Sequence, residues 1–299
     1  MPGKYNVCVV GLGSMGMGVA RSCIAAGLKT AGVDLDLEKC KDLVEAGAVE
    51  AGAVCKDAEN LDALVLLVVN AKQCKTVLFG ENGFANRMKP GAVVMVSSTI
   101  SAADAKEIAS GLEQKGLLVL DAPVSGGAAK ANTGDITVMA AGKKEAFDRL
   151  KPVLDAVAGK VYNIGEEIGL GATVKIIHQL LAGVHIAAGA EAMALAARAN
   201  IPLDVMYDVV THAAGNSWMF ENRMKHVVDG DYTAKSAVDI FVKDLRLVSE
   251  TGLALNFPLP LASTAYTMFA NASNAGFGKL DDSAVIKTFS GVKLPEKDA

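Results

Sequence analysis

Gly11-Leu12-Gly13-Ser14-Met15-Gly16 is the first segment whose residue types and spacing could do chemistry. In a G-x-G-x-x-G turn the first glycine permits a tight bend. The second lets the backbone approach a pyrophosphate, and the third lets the next helix pack closely on the strand. A helix opening there presents free N–H groups and a partial positive charge to a phosphate. Asp34 ends the next apolar run. Its carboxylate suits the hydroxyls of an adenosine ribose and would repel a 2′-phosphate. Lys29 and Lys39 are near, but no arginine follows Asp34, so these residues favour NAD over NADP. Further on, Ser125-Gly126-Gly127 combines a hydroxyl with successive glycine N–H groups, a nest for an anion. A substrate carboxylate is the anion expected there.

With 30 glycines in 299 residues, the turn pattern arises easily by chance, so its surroundings decide its meaning. Asn6–Val10 is a short apolar run before it, and a helical stretch to Ala26 follows. Thr30–Val33, Ala63–Val69, Ala92–Val96, Leu117–Leu120 and Ile136–Ala141 read as further strands. Helical faces alternate with them. One is Leu37, Cys40 and Val44. Another is Ala105, Ile108, Ala109 and Leu112, after a capping-box-like Ser101-x-x-Asp104. A last is Phe147, Leu150, Leu154 and Val157. This alternation predicts an α/β fold, a Rossmann-type doubly wound, mostly parallel sheet. Ligands bind at the carboxyl ends of such strands, where Val69, Asn70 and Thr99 fall.

After Val161–Ile164 the strand signals stop. Helices are expected from about Gly171, after Pro202, over Trp218–Val228 and Val238–Ser249, around Leu261–Ala272 and, briefly, over Asp281–Phe289. The expected organisation is therefore a nucleotide-binding domain over 1–165 and an all-α domain over 166–299.

Composition removes other classes. Hydrophobic residues are 51% and charged residues 21%, which excludes disorder. The net charge is −4 and aromatics are 5%, so no nucleic-acid partner is expected. Cys8, Cys23, Cys40, Cys55 and Cys74 are odd in number and form no C-x-x-C pair, so a disulfide framework is not expected and a reducing cytoplasm is. The N-terminus carries no signal-peptide pattern. Ile176–Ala197 is long and apolar but holds His178, Gln179, His185 and Glu191, so a buried helix is expected rather than a membrane span. His178 and His185 stand two helical turns apart, too far to share a metal, and no metal site is expected.

Four motifs in order resemble the β-hydroxyacid dehydrogenases, the group that includes 3-hydroxyisobutyrate dehydrogenase and tartronate semialdehyde reductase. They are Gly11-x-Gly13-x-Met15-Gly16, Asp121-Ala-Pro-Val-Ser125-Gly126-Gly127, Gly169-x-Gly171 with Lys175, and Lys243-Asp244-Leu245. The likeness covers nearly the whole chain. Asn216–Arg223 and Ser236–Leu245 look most like its four-carbon sugar-acid branch. The chain departs from the family's pattern at Gln179, where many members carry asparagine four residues after the lysine.

The resemblance implies NAD-dependent oxidation of a small hydroxy acid, with L-threonate the first substrate expected. It makes Lys175 the general acid/base. A free lysine near pKa 10.4 is a poor base. Burial and a second cation such as Lys243 would lower that value. Ser125, Gly126, Gly127, Gln179 and Lys243 are expected at the substrate. Gly11, Leu12, Gly13, Ser14, Met15, Gly16, Asp34, Val69, Asn70, Thr99 and Lys243 are expected at the cofactor. His178 is a candidate neighbour of the active lysine, and Trp218 a candidate cover for the nicotinamide. The competing possibilities are a 3-hydroxyisobutyrate dehydrogenase, a tartronate semialdehyde reductase working in the reductive direction with NADPH, and a dinucleotide-sensing module without catalysis. A homodimer or homotetramer is expected, with the long helix near its interface.

Overall fold

The computed structural model describes residues 5–296. The chain divides at Lys175/Ile176 into two compact units. The first contains strands β1 (Asn6–Val10), β2 (Lys29–Val33), β3 (Glu50–Gly52), β4 (Ala63–Leu66), β5 (Val93–Val96), β6 (Leu118–Asp121), β7 (Val124–Ser125), β8 (Ile136–Ala141) and β9 (Ala158–Gly165). Between them lie helices α1 (Ser14–Ala25), α2 (Leu37–Glu45), α3 (Ala71–Phe79), α4 (Ala102–Glu113), α5 (Gly127–Asn132) and α6 (Lys144–Val157). The strand order is β3-β2-β1-β4-β5-β6-β8-β7, with β9 on β8. Pairing is parallel from β3 to β6 and between β8 and β9, while β8 runs antiparallel to β6 and β7.

Alternation along the strands shows why the sheet is covered on both faces. Val7, Val9, Ala63, Val65, Val93 and Met95 enter one core. Cys8, Val10, Leu64, Leu66, Val94 and Val96 enter the other. Two-sided burial is what makes these strands continuous apolar runs rather than alternating ones. Each fully buried Val or Leu contributes roughly 1.5–3 kcal/mol.

The first strand after α2 is only three residues long and polar at Glu50, so it escapes a hydropathy reading. The strand expected over Ala63–Val69 ends at Leu66 instead. There Leu67 N–H donates to Val10 O at 2.8 Å, and the chain turns so that its backbone lies against Gly11. Ser101 caps α4 as its spacing implies: its Oγ accepts from Asp104 N–H at 3.0 Å and donates to the Asp104 carboxylate at 2.7 Å.

The long helix α7 (Leu170–Arg198) begins in the first unit. It is long and apolar enough to cross a membrane, and half of its most apolar window is buried inside the protein. The second unit continues with α8 (Leu203–Thr211), α9 (Trp218–Val228), α10 (Val238–Ala254) and α11 (Pro260–Ala272), then a 3₁₀ segment, Asp282–Thr288. Phe241 stacks on Phe269 with ring centroids 5.1 Å apart at the centre of its core. Beside them Asp281 and Asp282 are fully buried. Arg223 Nε pairs with Asp282 at 2.7 Å, and Lys235 N–H donates to Asp281 at 3.1 Å.

Candidate active site

The glycine turn sits between β1 and α1. Gly11 has φ +92°, and a Cβ there would lie 2.7 Å from Leu67 O. A Cβ on Gly16 would stand 1.7 Å from Gly11 O. These two glycines are demanded by the protein's own backbone. Gly13 differs: beyond its immediate chain neighbours, nothing lies within 4 Å of the position its Cβ would take. It is the N-cap of α1 and no side chain caps that helix end. The turn therefore leaves a bare helix N-terminus beside a residue with no side chain, which fits a dinucleotide pyrophosphate. Ser14 is exposed and Met15 half-buried there. Leu12 faces the core, and its N–H donates to Asp34 Oδ2 at 2.6 Å.

Asp34 lies just past β2, and its other oxygen accepts from Asp36 N–H at 2.9 Å. The carboxylate thus braces the turn while a carboxylate's further lone pairs stay able to accept from hydroxyls. One glycine that the motif does not include also matters here. A Cβ on Gly18 would come within 2.7 Å of Ala131, so α1 and α5 pack backbone to backbone.

The ends of β4 and β5 point to the same edge of the sheet. Val69 is exposed and its N–H donates to Gln73 Oε1 at 2.8 Å. Asn70 caps α3, its Oδ1 accepting from Gln73 N–H at 2.9 Å. Thr99 stands half-buried beyond the end of β5. Ser125 ends β7, paired with Thr137 of β8. Gly126 and Gly127 follow with φ +134° and +71°, and Gly127 has open space where a Cβ would be. Two successive positive-φ residues make a backbone turn that glycine adopts without strain, and Gly127 leaves no side chain over it.

Lys175 is the sixth residue of α7 and only 7% exposed. Asp121, at the end of β6, holds the start of that helix. Its Oδ2 accepts from Gly169 N–H at 2.8 Å and Ala172 N–H at 3.0 Å. Asp121 is 2% exposed, and burial pushes its carboxyl above the ordinary value while these N–H bonds pull the other way. Gly171 is required by proximity, since its Cβ would lie 2.4 Å from Asp121 O. The sequence displays Asp121 in its motif without disclosing this role, because the partner N–H groups lie 48 and 51 residues away.

In the second unit, Gln179 and Lys243 meet at Asp244. Gln179 Nε2 donates to Asp244 Oδ2 at 2.5 Å, and Lys243 Nζ pairs with Oδ1 at 2.6 Å. The amide orientation follows: Gln179 Oε1 is an acceptor, so His178 Nδ1, 3.0 Å away, carries the hydrogen. Trp218 is half exposed at the start of α9. No group of three or more metal-ligating side chains occurs among the described residues.

Residues 6–165 match the family model described as the NAD binding domain of 6-phosphogluconate dehydrogenase. Residues 169–289 match that described as the NAD-binding domain of NADP-dependent 3-hydroxyisobutyrate dehydrogenase. The chain is 71% identical to L-threonate dehydrogenase of Pectobacterium atrosepticum, covering 98% of this chain and 97% of that one. It is 69% identical to the Escherichia coli K12 L-threonate dehydrogenase, covering 98% and 97%. A crystal structure described as 3-hydroxyisobutyrate dehydrogenase from Salmonella typhimurium superposes with TM-score 0.92 at 68% identity, covering 95% and 100%.

A doubly wound dinucleotide fold with a lysine-bearing helix after it defines a pyridine-nucleotide oxidoreductase. The chain belongs to the β-hydroxyacid dehydrogenase family. It is an NAD-dependent hydroxy-acid dehydrogenase.

Proposed function

We propose that the substrate is L-threonate, oxidised to its 2-oxo acid with Lys175 as general base. Identities of 71% and 69% over 98% of the chain to L-threonate dehydrogenases support the substrate. The observation that carries the chemistry is the buried Lys175 amine. An amine serves as a base only when neutral, and burial favours the neutral form. Bound NAD supplies the hydride acceptor. Gly13 and the α1 N-terminus hold its pyrophosphate, Asp34 its adenosine ribose, and Thr99, Val69 and Asn70 flank the β4–β5 edge. The Ser125–Gly127 nest takes the substrate carboxylate and fixes which carbon is presented. Lys175 removes the hydroxyl proton and returns it in the reverse direction. Gln179 and Lys243 are held by Asp244 within the second unit.

Steady-state turnover with NAD or NADP and a panel of hydroxy acids tests this. L-threonate with NAD should give the highest kcat/KM. A better rate with 3-hydroxyisobutyrate would favour a 3-hydroxyisobutyrate dehydrogenase instead, the activity in the name of the Salmonella structure. Equal oxidation of uncharged alcohols would remove the carboxylate nest.

The five buried thiols fit a reducing cytoplasm. We further infer a homodimer or homotetramer. Ile177, Leu181 and Leu195 are more than half exposed and, with Val184 and Ala188, recur at heptad-like spacing along α7. Light scattering should give a mass twice or four times 30.8 kDa, and a mass equal to it would remove the inference.

A further inference from the structure

We propose that Asp121 is a positioning residue for the reaction: it fixes the height and rotation of Lys175 by tethering the first turn of α7 to the end of β6. The proposal rests on the role given to Lys175 above. Three features carry it. The carboxylate is buried and accepts from two N–H groups of the helix start, Gly169 and Ala172. Those are among the N–H groups that a helix cannot satisfy internally. Next, the helix start is packed closely on the strand end, so a loss of the tether is transmitted directly to it. Gly171 leaves room for only a hydrogen against Asp121 O and Met139 O, so the helix start already touches the strand end. Gly169 adopts φ +100° against Ala102, and its carbonyl accepts from Thr173 N–H and Oγ1 at 2.9 and 2.7 Å. Finally, Asp121 also begins the segment that reaches Ser125 four residues later. One carboxylate therefore sets the start of the helix that carries the base and stands at the root of the loop that carries the nest.

The nest has its own anchors. Met139 N–H donates to Pro123 O at 2.9 Å, and Val124 pairs with Val138. Loss of the Asp121 tether should therefore displace Lys175 and leave carboxylate binding largely intact. A misplacement of about 1 Å at a reacting group costs about 10²-fold in rate.

The test compares Asp121→Ala, Asp121→Asn and Asp121→Ser. In Asp121→Ala, kcat should fall about 10²-fold, while KM for L-threonate and Kd for NAD stay within about threefold. Asp121→Asn keeps an oxygen that can accept from both N–H groups, and it should recover most of kcat. Asp121→Ser, whose shorter hydroxyl reaches less far, should fall between them. It carries the comparison should the alanine variant not fold. Amide hydrogen exchange supplies a readout that does not depend on catalysis. Gly169 and Ala172 should exchange faster in Asp121→Ala or Asp121→Ser than in the native enzyme, and should be unchanged in Lys175→Ala. Losses spread equally over kcat, KM and NAD affinity would overturn the proposal, as would a kcat within about threefold of native in both Asp121→Ala and Asp121→Ser. Failure of the Lys175 assignment shows itself separately, as retained turnover in Lys175→Ala.

Discussion

Lys175→Ala should lower kcat by about 10²–10⁴-fold, the usual contribution of a general acid–base group. NAD binding should persist, because the proposed phosphate turn lies between β1 and α1 and contains no residue of α7. Lys175→Arg should also fail, since a guanidinium keeps its proton near neutral pH. Titrating NAD alongside turnover separates the cases. If NAD affinity and turnover vanish together, Lys175 is holding the fold rather than moving a proton. At this scale Gln179 is instructive. The extra methylene relative to asparagine is absorbed by the buried Asp244 carboxylate, which receives its amide nitrogen. Nothing in the linear sequence joins positions 65 residues apart, so this pairing was not legible there, although both residues stood out by type.

Among the elements, the Gly11–Gly16 turn separates two glycines crowded by the protein's own backbone from Gly13, which is not crowded and is the proposed pyrophosphate contact. Gly16→Ala would drive a methyl into the Gly11 carbonyl, and such overpacking typically costs about 1–3 kcal/mol. Urea unfolding should show that loss. Gly13→Ala meets nothing beyond its immediate chain neighbours and its φ of −67° suits alanine. Its stability should stay within about 1 kcal/mol of native, the scale of an N-cap change. Its Kd for NAD should nonetheless rise more than tenfold in calorimetry; unchanged affinity would remove the turn as the pyrophosphate site. The elements themselves were largely readable. Asn6–Val10, Ile136–Ala141 and Trp218–Val228 occur with the very bounds that their apolar patterns suggest. The short strands β3 and β7 did not show, because two or three residues have no periodicity and are held by register with β2 and β8. The early end of β4 is likewise a tertiary effect, imposed by the backbone of Gly11.

For the molecule as a whole, the buried acid in the second unit gives stability a pH dependence. Burial raises the Asp282 carboxyl from 3.8 to about 7, with Arg223 opposing and Asp281 assisting. Between those values the folded chain keeps a proton that the unfolded chain has released. The stability from this group is therefore complete at acid pH and declines as pH rises through about 7. Asp282→Asn stays neutral at every pH and should lose that decline; it withdraws a charged partner from Arg223 only above about pH 7. Urea denaturation at pH 5 and pH 8 measures both chains. Relative to Asp282→Asn, the native chain should lose stability from pH 5 to pH 8; a difference that stays constant would mean that the folded-state carboxyl is not raised.

All five cysteines are buried, and all lie in the first 74 residues. That distribution makes half of the protein its own clock. A thiol-reactive dye meets no accessible sulfur in the native chain, and burial lifts the Cys23 thiol to about 12, which keeps it in the unreactive form. Colour can appear only when the nucleotide-binding unit opens, and the helical unit after Ile176 contributes none. Dye kinetics would therefore time the breathing of one unit inside the intact enzyme. Where opening and closing are fast, NAD at 100 times its Kd should slow that clock about 100-fold by mass action, whereas a substrate acid added alone should slow it far less.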